Sequence, residues 1–176
     1  ADVGNGIRML MVRSVPEGEK SARFNDVIVA FKETYGDNCT NRTKPYDGIE
    51  EMLGELVKKD YKLAIVSNKA DFAVRILTEH YFGTIPHVAV GEREGVRRKP
   101  APDMVIKALE SLGSDAAHSV FVGDSDVDIE TAKACGMPCI SAGWGFRKYT
   151  AFRTLLRFRY RRRNAVYFRR LGLSEI

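Results

Sequence analysis

The sequence predicts an α/β fold, a parallel sheet of short strands covered by helices. Three observations carry that prediction. From Lys44 onward, short apolar runs alternate with stretches of helical periodicity. Each apolar run is only a few residues long, as expected of short buried strands joined by crossover helices. The polar residues of chemical interest also lie just after those runs, where parallel sheets place their ligands.

The first forty-odd residues read as helical. Ile7, Leu10 and Met11 give one apolar face, and Pro16-Glu17-Gly18 breaks it. Phe24, Val27, Ile28 and Phe31 recur at i, i+3, i+4 and i+7, the pattern of an amphipathic helix that Gly36 and Asn38 end. Asp47 and Glu50 make a helix start signal, with Ile49, Leu53, Leu56 and Val57 inward. Lys62 to Val66 reads as a strand. Asp71 caps the next helix, with Phe72, Ile76 and Leu77 inward. His87 to Val90 is a second strand, and Pro102 suits the first turn of a helix reaching about Leu112. Ser119 to Val122, a helix from Asp126 to Ala134, and a strand from Pro138 to Ile140 complete the series.

Composition narrows the class. Among 176 residues, 44% are hydrophobic and 29% charged, the profile of a globular chain. The longest apolar runs fall far short of the ~20 residues a membrane helix needs. The first residues mix Asp, Gly, Asn and Arg, unlike a signal peptide. A start at Ala1 fits either a removed initiator Met or a fragment of a longer frame. The three cysteines, Cys39, Cys135 and Cys139, are odd in number and lack CxxC spacing, so a reducing cytoplasm is expected. The net charge of +5 is unevenly spread. Residues 1–146 hold 18 Lys and Arg against 22 Asp and Glu, and residues 147–176 hold 10 against one. The basic character therefore belongs to the tail.

Three segments carry chemistry. Val66-Ser67-Asn68-Lys69 puts a hydroxyl and an amide at a strand end, where they can hold a phosphate oxygen; an ordinary polar turn is the alternative. Gly91-Glu92-Arg93-Glu94-Gly95 leads to Arg97-Arg98-Lys99-Pro100. A Lys there can neutralise a phosphate; the alternative is a solvated basic loop. Gly123-Asp124-Ser125-Asp126-Val127-Asp128 puts two carboxylates one helical turn apart, facing one point. Such a pair suits Mg²⁺, which prefers oxygen ligands and bridges to substrate phosphate. An N-capping Asp with a solvated acidic turn is the alternative.

In this order, each after a strand, Ser67-Asn68, Lys99-Pro100 and Gly123-Asp124 to Asp128 resemble motifs II, III and IV of the haloacid dehalogenase superfamily. Tyr46-Asp47-Gly48-Ile49, Val90-Gly91-Glu92-Arg93-Glu94-Gly95-Val96 and Arg98-Lys99-Pro100-Ala101-Pro102-Asp103 look like its phosphoglycolate phosphatase branch, and the likeness runs from about residue 3 to 147. The resemblance implies a Rossmann-like α/β core at 44–147 and a partial helical cap at 1–43; the basic tail at 148–176 lies outside it. It implies a Mg²⁺-dependent phosphatase acting on a small phosphorylated metabolite, 2-phosphoglycolate first. Ser67 and Asn68 would hold the phosphoryl group, and Lys99 would stabilise its charge. Asp124 would bind Mg²⁺, with Asp128 supporting the metal or positioning Lys99. Asn5, Gly6 and Arg8 of the cap would approach the substrate. In the family an Asp on the first strand attacks phosphorus, and a second Asp two residues on is the general acid and base.

This sequence departs from the family at both ends. No D-x-D-G-T follows an apolar strand, so the first core strand and its nucleophile are missing from these residues. Two neighbouring strands are then expected to lose a ladder partner, and the chain by itself is expected to be inactive or weakly active. At the far end, Arg157 to Arg163 and Phe168-Arg169-Arg170 replace an expected acidic strand and helix. Three readings of that tail stand side by side: a frame-shifted gene model, an amphipathic extension using Phe152, Leu155, Leu156 and Tyr160, or an acidic-surface or nucleic-acid contact. Nucleic acid is otherwise not an expected partner, nor is a membrane. Two further functions remain open: a non-catalytic phosphate- or partner-binding module, and a related enzyme such as a sugar phosphomutase.

Overall fold

The computed structural model describes residues 6–143, which fall into two compact units. The expectations for Asn5, for 144–147 and for the basic tail lie outside the described residues. No helix among the described residues is long and apolar enough to cross a membrane.

The first unit comprises residues 6–98 and 103–113. Helix α1 (Gly6–Ser14) ends before the predicted break, where Glu17 and Gly18 both take positive φ, and one 3-10 turn (Gly18–Lys20) leads to α2 (Phe24–Asn38). The two helices pack together, with Met11 and Phe24 buried. Helix α3 (Ile49–Lys58) starts where expected, but its N-cap is Gly48 at φ 83°, with no side-chain cap bond. Asp47 is therefore not the cap. None of its residues is buried. Its apolar face, Ile49, Leu53, Leu56 and Val57, is half-buried, while Glu50, Glu51, Glu55 and Lys58 are exposed, so the face turns inward as expected without being fully covered.

Strand β1 (Ala64–Ala70), helix α4 (Asp71–Phe82), strand β2 (Val88–Glu92) and helix α5 (Asp103–Leu112) complete the unit. β1 and β2 pair in parallel from Ala64↔Val88 to Val66↔Val90, then irregularly to Ala70↔Glu92. Parallel pairing needs a crossover; α4 makes it and packs on both strands, as does α5. Val90, Met104 and Ala108 form the buried core, with Val66, Val88 and Val96 around them. β1 continues through Ser67 and Asn68, which the sequence placed in a loop; the strand outlasts its apolar run.

Helix α4 buries Ala73, Val74 and Thr78, whereas Ile76 is 37% exposed. Phe72 and Ile76 instead face α2. Phe72 stacks edge-on with Tyr35, and a Cβ at Gly36 would sit 3.8 Å from Phe72 and 3.9 Å from Ile76. Two adjacent apolar stripes exist on α4, and α2 takes the one the sequence assigned to the sheet. Asp71 is not the cap either: Ala70 holds that place without a side-chain bond. The Asp71 carboxylate accepts from the Gly91 N–H at 2.9 Å and from Arg75 Nε at 2.8 Å. A Cβ on Gly91 would lie 2.6 Å from the Asp71 nitrogen and 2.8 Å from the Lys69 carbonyl, so only glycine fits there.

The second unit joins Lys99–Pro102 to residues 114–143. Strand β3 (Phe121–Gly123) pairs in parallel with β4 (Cys139–Ser141), and α6 (Asp126–Ala134) packs on both. Both strands begin later than their apolar runs suggested. The Phe121 N–H starts the ladder by donating to the Pro138 carbonyl, since Pro138 has no N–H to offer. The described strands pair as two two-stranded parallel ladders, β1 with β2 and β3 with β4. Each strand has one ladder partner among the described residues, and Val122 in β3 is 61% exposed.

Candidate active site

In the second unit, β3 ends at Gly123 and hands the chain to α6 through Asp124 and Ser125. Ser125 is the N-cap of α6, and with Asp128 it forms a reciprocal capping box. The Asp128 N–H donates to Ser125 Oγ at 3.3 Å. Asp128 Oδ2 in turn accepts from Ser125 Oγ at 2.6 Å, and from the N–H groups of Ser125 and Asp124 at 3.1 Å each. Its other oxygen, Oδ1, accepts from Lys99 Nζ at 2.7 Å. The ion pair is nearly buried, with side-chain exposures of 12% for Lys99 and 8% for Asp128. The ammonium also lies 5.6 Å from the centre of the Phe121 ring, within cation–π range.

The electrostatics follow from that packing. Burial pushes the Asp128 carboxyl up, but hydrogen bonds from Lys99 and Ser125, and the charge of Lys99, outweigh it and hold the group below the usual Asp range. Burial raises the Cys139 thiol, and the negative charge of Asp128 raises it further. The arrangement presents a cation held in one position by a fixed carboxylate, beside a second carboxylate, Asp124.

In the first unit, Ser67 Oγ accepts from the Lys69 N–H at 3.2 Å. Asn68 follows it in β1 and is part-buried. Arg8, on α1, donates from Nε to Glu19 Oε1 at 2.9 Å, lies 5.5 Å from the centre of the Phe24 ring, and is 65% exposed. Lys99, Asp124 and Asp128 therefore gather in the second unit, while Ser67, Asn68 and Arg8 belong to the first.

A family model described as haloacid dehalogenase-like hydrolase matches residues 3–142. The chain belongs to that family. It is 32% identical over 149 residues to phosphoglycolate phosphatase of Mesorhizobium japonicum, a match covering 82% of this chain and 65% of that protein. It is 32% identical over 148 residues to phosphoglycolate phosphatase of Aquifex aeolicus, covering 83% and 67%. The crystal structure of a candidate phosphoglycolate phosphatase from Lactobacillus delbrueckii subsp. bulgaricus superposes with a TM-score of 0.67 at 34% identity, over 84% of this chain and 72% of that one. The chain thus spans just under two thirds of the length of the Mesorhizobium protein.

Two residues of this haloacid dehalogenase-like hydrolase escaped the sequence reading. Ser125 holds Asp128 from three directions, and its signal was present: Ser125-x-x-Asp128 has capping-box spacing. Gly123 is the second. A Cβ there would fall 2.7 Å from Asp128 Oδ2 and closer still to the Asp128 Cβ, so the carboxylate can seat only against a glycine. Among the described residues no group of three or more His, Cys, Asp or Glu side chains converges as a metal cage. The hard-oxygen chemistry of Asp124 fits Mg²⁺, which needs only one or two protein carboxylates beside water and substrate phosphate. Both Asp128 oxygens are already engaged, which fits a carboxylate that positions Lys99 better than one that ligates a metal.

Proposed function

We propose that this chain is part of a Mg²⁺-dependent phosphomonoester hydrolase of the phosphoglycolate phosphatase type, cytoplasmic, acting on 2-phosphoglycolate. The buried Lys99–Asp128 pair at the end of β3 is the observation that carries the reading. A preorganised cation at a fixed point can balance the charge of a phosphoryl group without reorganising as the reaction proceeds. The relatives named phosphoglycolate phosphatase support the choice of substrate.

Each residue then has a role. Lys99 balances phosphoryl charge, and Asp128, with Ser125 behind it, fixes Lys99 in place. Asp124 would hold Mg²⁺, whose contribution when bound is to polarise the phosphoryl oxygens. Ser67 and Asn68 take phosphate oxygens from the C-terminal half of β1. Arg8 reaches a substrate only by leaving Glu19. Residues 1–43 serve as the cap portion and 44–147 as the core. These 176 residues contain no D-x-D-G-T segment, so on their own they hold the phosphoryl-binding groups without the attacking carboxylate and turn over weakly or not at all.

Phosphate release from 2-phosphoglycolate tests the reading. The chain is assayed beside a version carrying a D-x-D-G-T strand ahead of residue 1, each with Mg²⁺ and with EDTA. Turnover by the extended protein alone, lost in EDTA and lost again on Lys99→Met, is the expected outcome. If neither folded protein releases phosphate from this ester or from a panel of sugar phosphates, the enzymatic reading fails and a non-catalytic binding module takes its place.

A further inference from the structure

The first unit holds a cavity of about 220 Å³, below the ~300–1,000 Å³ of sites for drug-sized ligands. Ile65, Ser67 and Lys69 line it together, as alternate residues of one strand share a face. Its walls are otherwise largely apolar, from Val74, Leu77 and Phe82 of α4, and Lys44 adds a second ammonium to the lining.

Lys69 is exposed, and its side chain is held against α2. Its Nζ donates to Tyr35 Oη at 2.8 Å and lies 5.5 Å from the centre of the same ring. Tyr35 is itself held, stacked on Phe31 at 5.5 Å and set edge-on to Phe72 at 6.2 Å. Among the described residues the ammonium thus has a neutral hydroxyl for a partner and no carboxylate. Two positions away, Ser67 Oγ accepts the Lys69 N–H and donates to no described residue. A hydroxyl with a proton to give and an exposed lysine with no carboxylate partner among the described residues therefore line one small cavity. Alternate strand residues sit roughly 6.6 Å apart, the span of a short ligand with an acidic group at each end.

Resting on the phosphatase reading above, we infer that Lys69, parked on Tyr35, is the specificity-determining residue that reads the carboxylate of a small phosphoester whose phosphate lies towards Ser67. The phenol keeps the ammonium in one place without neutralising it, and an incoming carboxylate replaces the hydroxyl as its partner. A phosphomonoester with no second acidic group gains nothing from Lys69.

Isothermal titration of the full chain with 2-phosphoglycolate and with ethyl phosphate tests this, since the two differ in the carboxylate. Wild type is expected to prefer 2-phosphoglycolate by about tenfold, the scale of one well-placed charge-assisted hydrogen bond. Lys69→Met is expected to abolish that preference and leave ethyl phosphate binding unchanged; Lys69→Arg keeps the preference, and Tyr35→Phe weakens it. If wild type binds both esters equally, or Lys69→Met keeps the preference or weakens both ligands alike, Lys69 does not read the carboxylate while the phosphoester reading stands. If wild type binds neither ester, both readings fall.

Discussion

Asp128→Asn offers the sharpest test of how the Lys99 position is held. The substitution keeps the shape of the side chain and removes its charge. At 2.7 Å and an effective dielectric of about 20, the Coulomb attraction lost is ~6 kcal/mol. Part of that is offset in the native protein by the desolvation of both ions. Removing one partner of a buried pair costs about 3–5 kcal/mol. The asparagine can still offer Lys99 an oxygen, but its amide then faces the donors of Ser125 and Asp124 that Oδ2 now satisfies. The lower end, about 3 kcal/mol, is therefore expected. With a urea m-value of ~2 kcal/mol/M, the midpoint falls by about 1.5 M. Lys99→Met added to Asp128→Asn removes the stranded ammonium and recovers at least half of the loss, because an apolar replacement of a buried pair is often near neutral. Urea denaturation followed by circular dichroism measures all three proteins. A midpoint shift under about 0.5 M, or a double variant no more stable than Asp128→Asn, refutes the claim that Asp128 offsets a buried charge.

Acidification probes the same group. Because the Asp128 carboxyl is held below its unfolded value of ~3.9, its stabilisation is complete above that value and is lost as pH falls through the folded one. Wild type thus loses stability more steeply below about pH 4 than Asp128→Asn does, as denaturation at several pH values will show. Gly123→Ala drives a Cβ into the locked Asp128 side chain and costs about 2–3 kcal/mol, a melting-point drop of roughly 5–10 °C. Gly54→Ala, in the middle of α3 with nothing within 4 Å of the new methyl, gains about 0.5–1 kcal/mol instead, so the pair separates crowding from backbone propensity in one calorimetric comparison. Ser125→Ala removes the α6 cap at a cost of about 1 kcal/mol and moves the Asp128 carboxyl up towards the ordinary range, readable in an NMR titration of its side chain.

The order of helices and strands, the parallel pairing, and the strand-end position of Asp124 were legible in the sequence. Local periodicity and turn chemistry determine them, and both act over a few residues. Partners distant in the chain were not legible. Which stripe of α4 meets the sheet depended on α2 claiming Phe72 and Ile76 through Gly36. The apolar face of α3 is legible in sequence yet only half-buried, since the depth of burial is a property of neighbours rather than of the helix. Asp71 looked like a helix cap and became instead a tether for Gly91, 20 residues away. For Asp128 the sequence left two roles side by side, supporting a metal or positioning Lys99. The fold shows Lys99, 29 residues earlier, on one of its oxygens and Ser125 with two backbone N–H groups on the other. A carboxylate has few lone pairs; the local spacing of Ser125 and Asp128 encodes what fills one oxygen, but only close packing brings the distant Lys99 to the other.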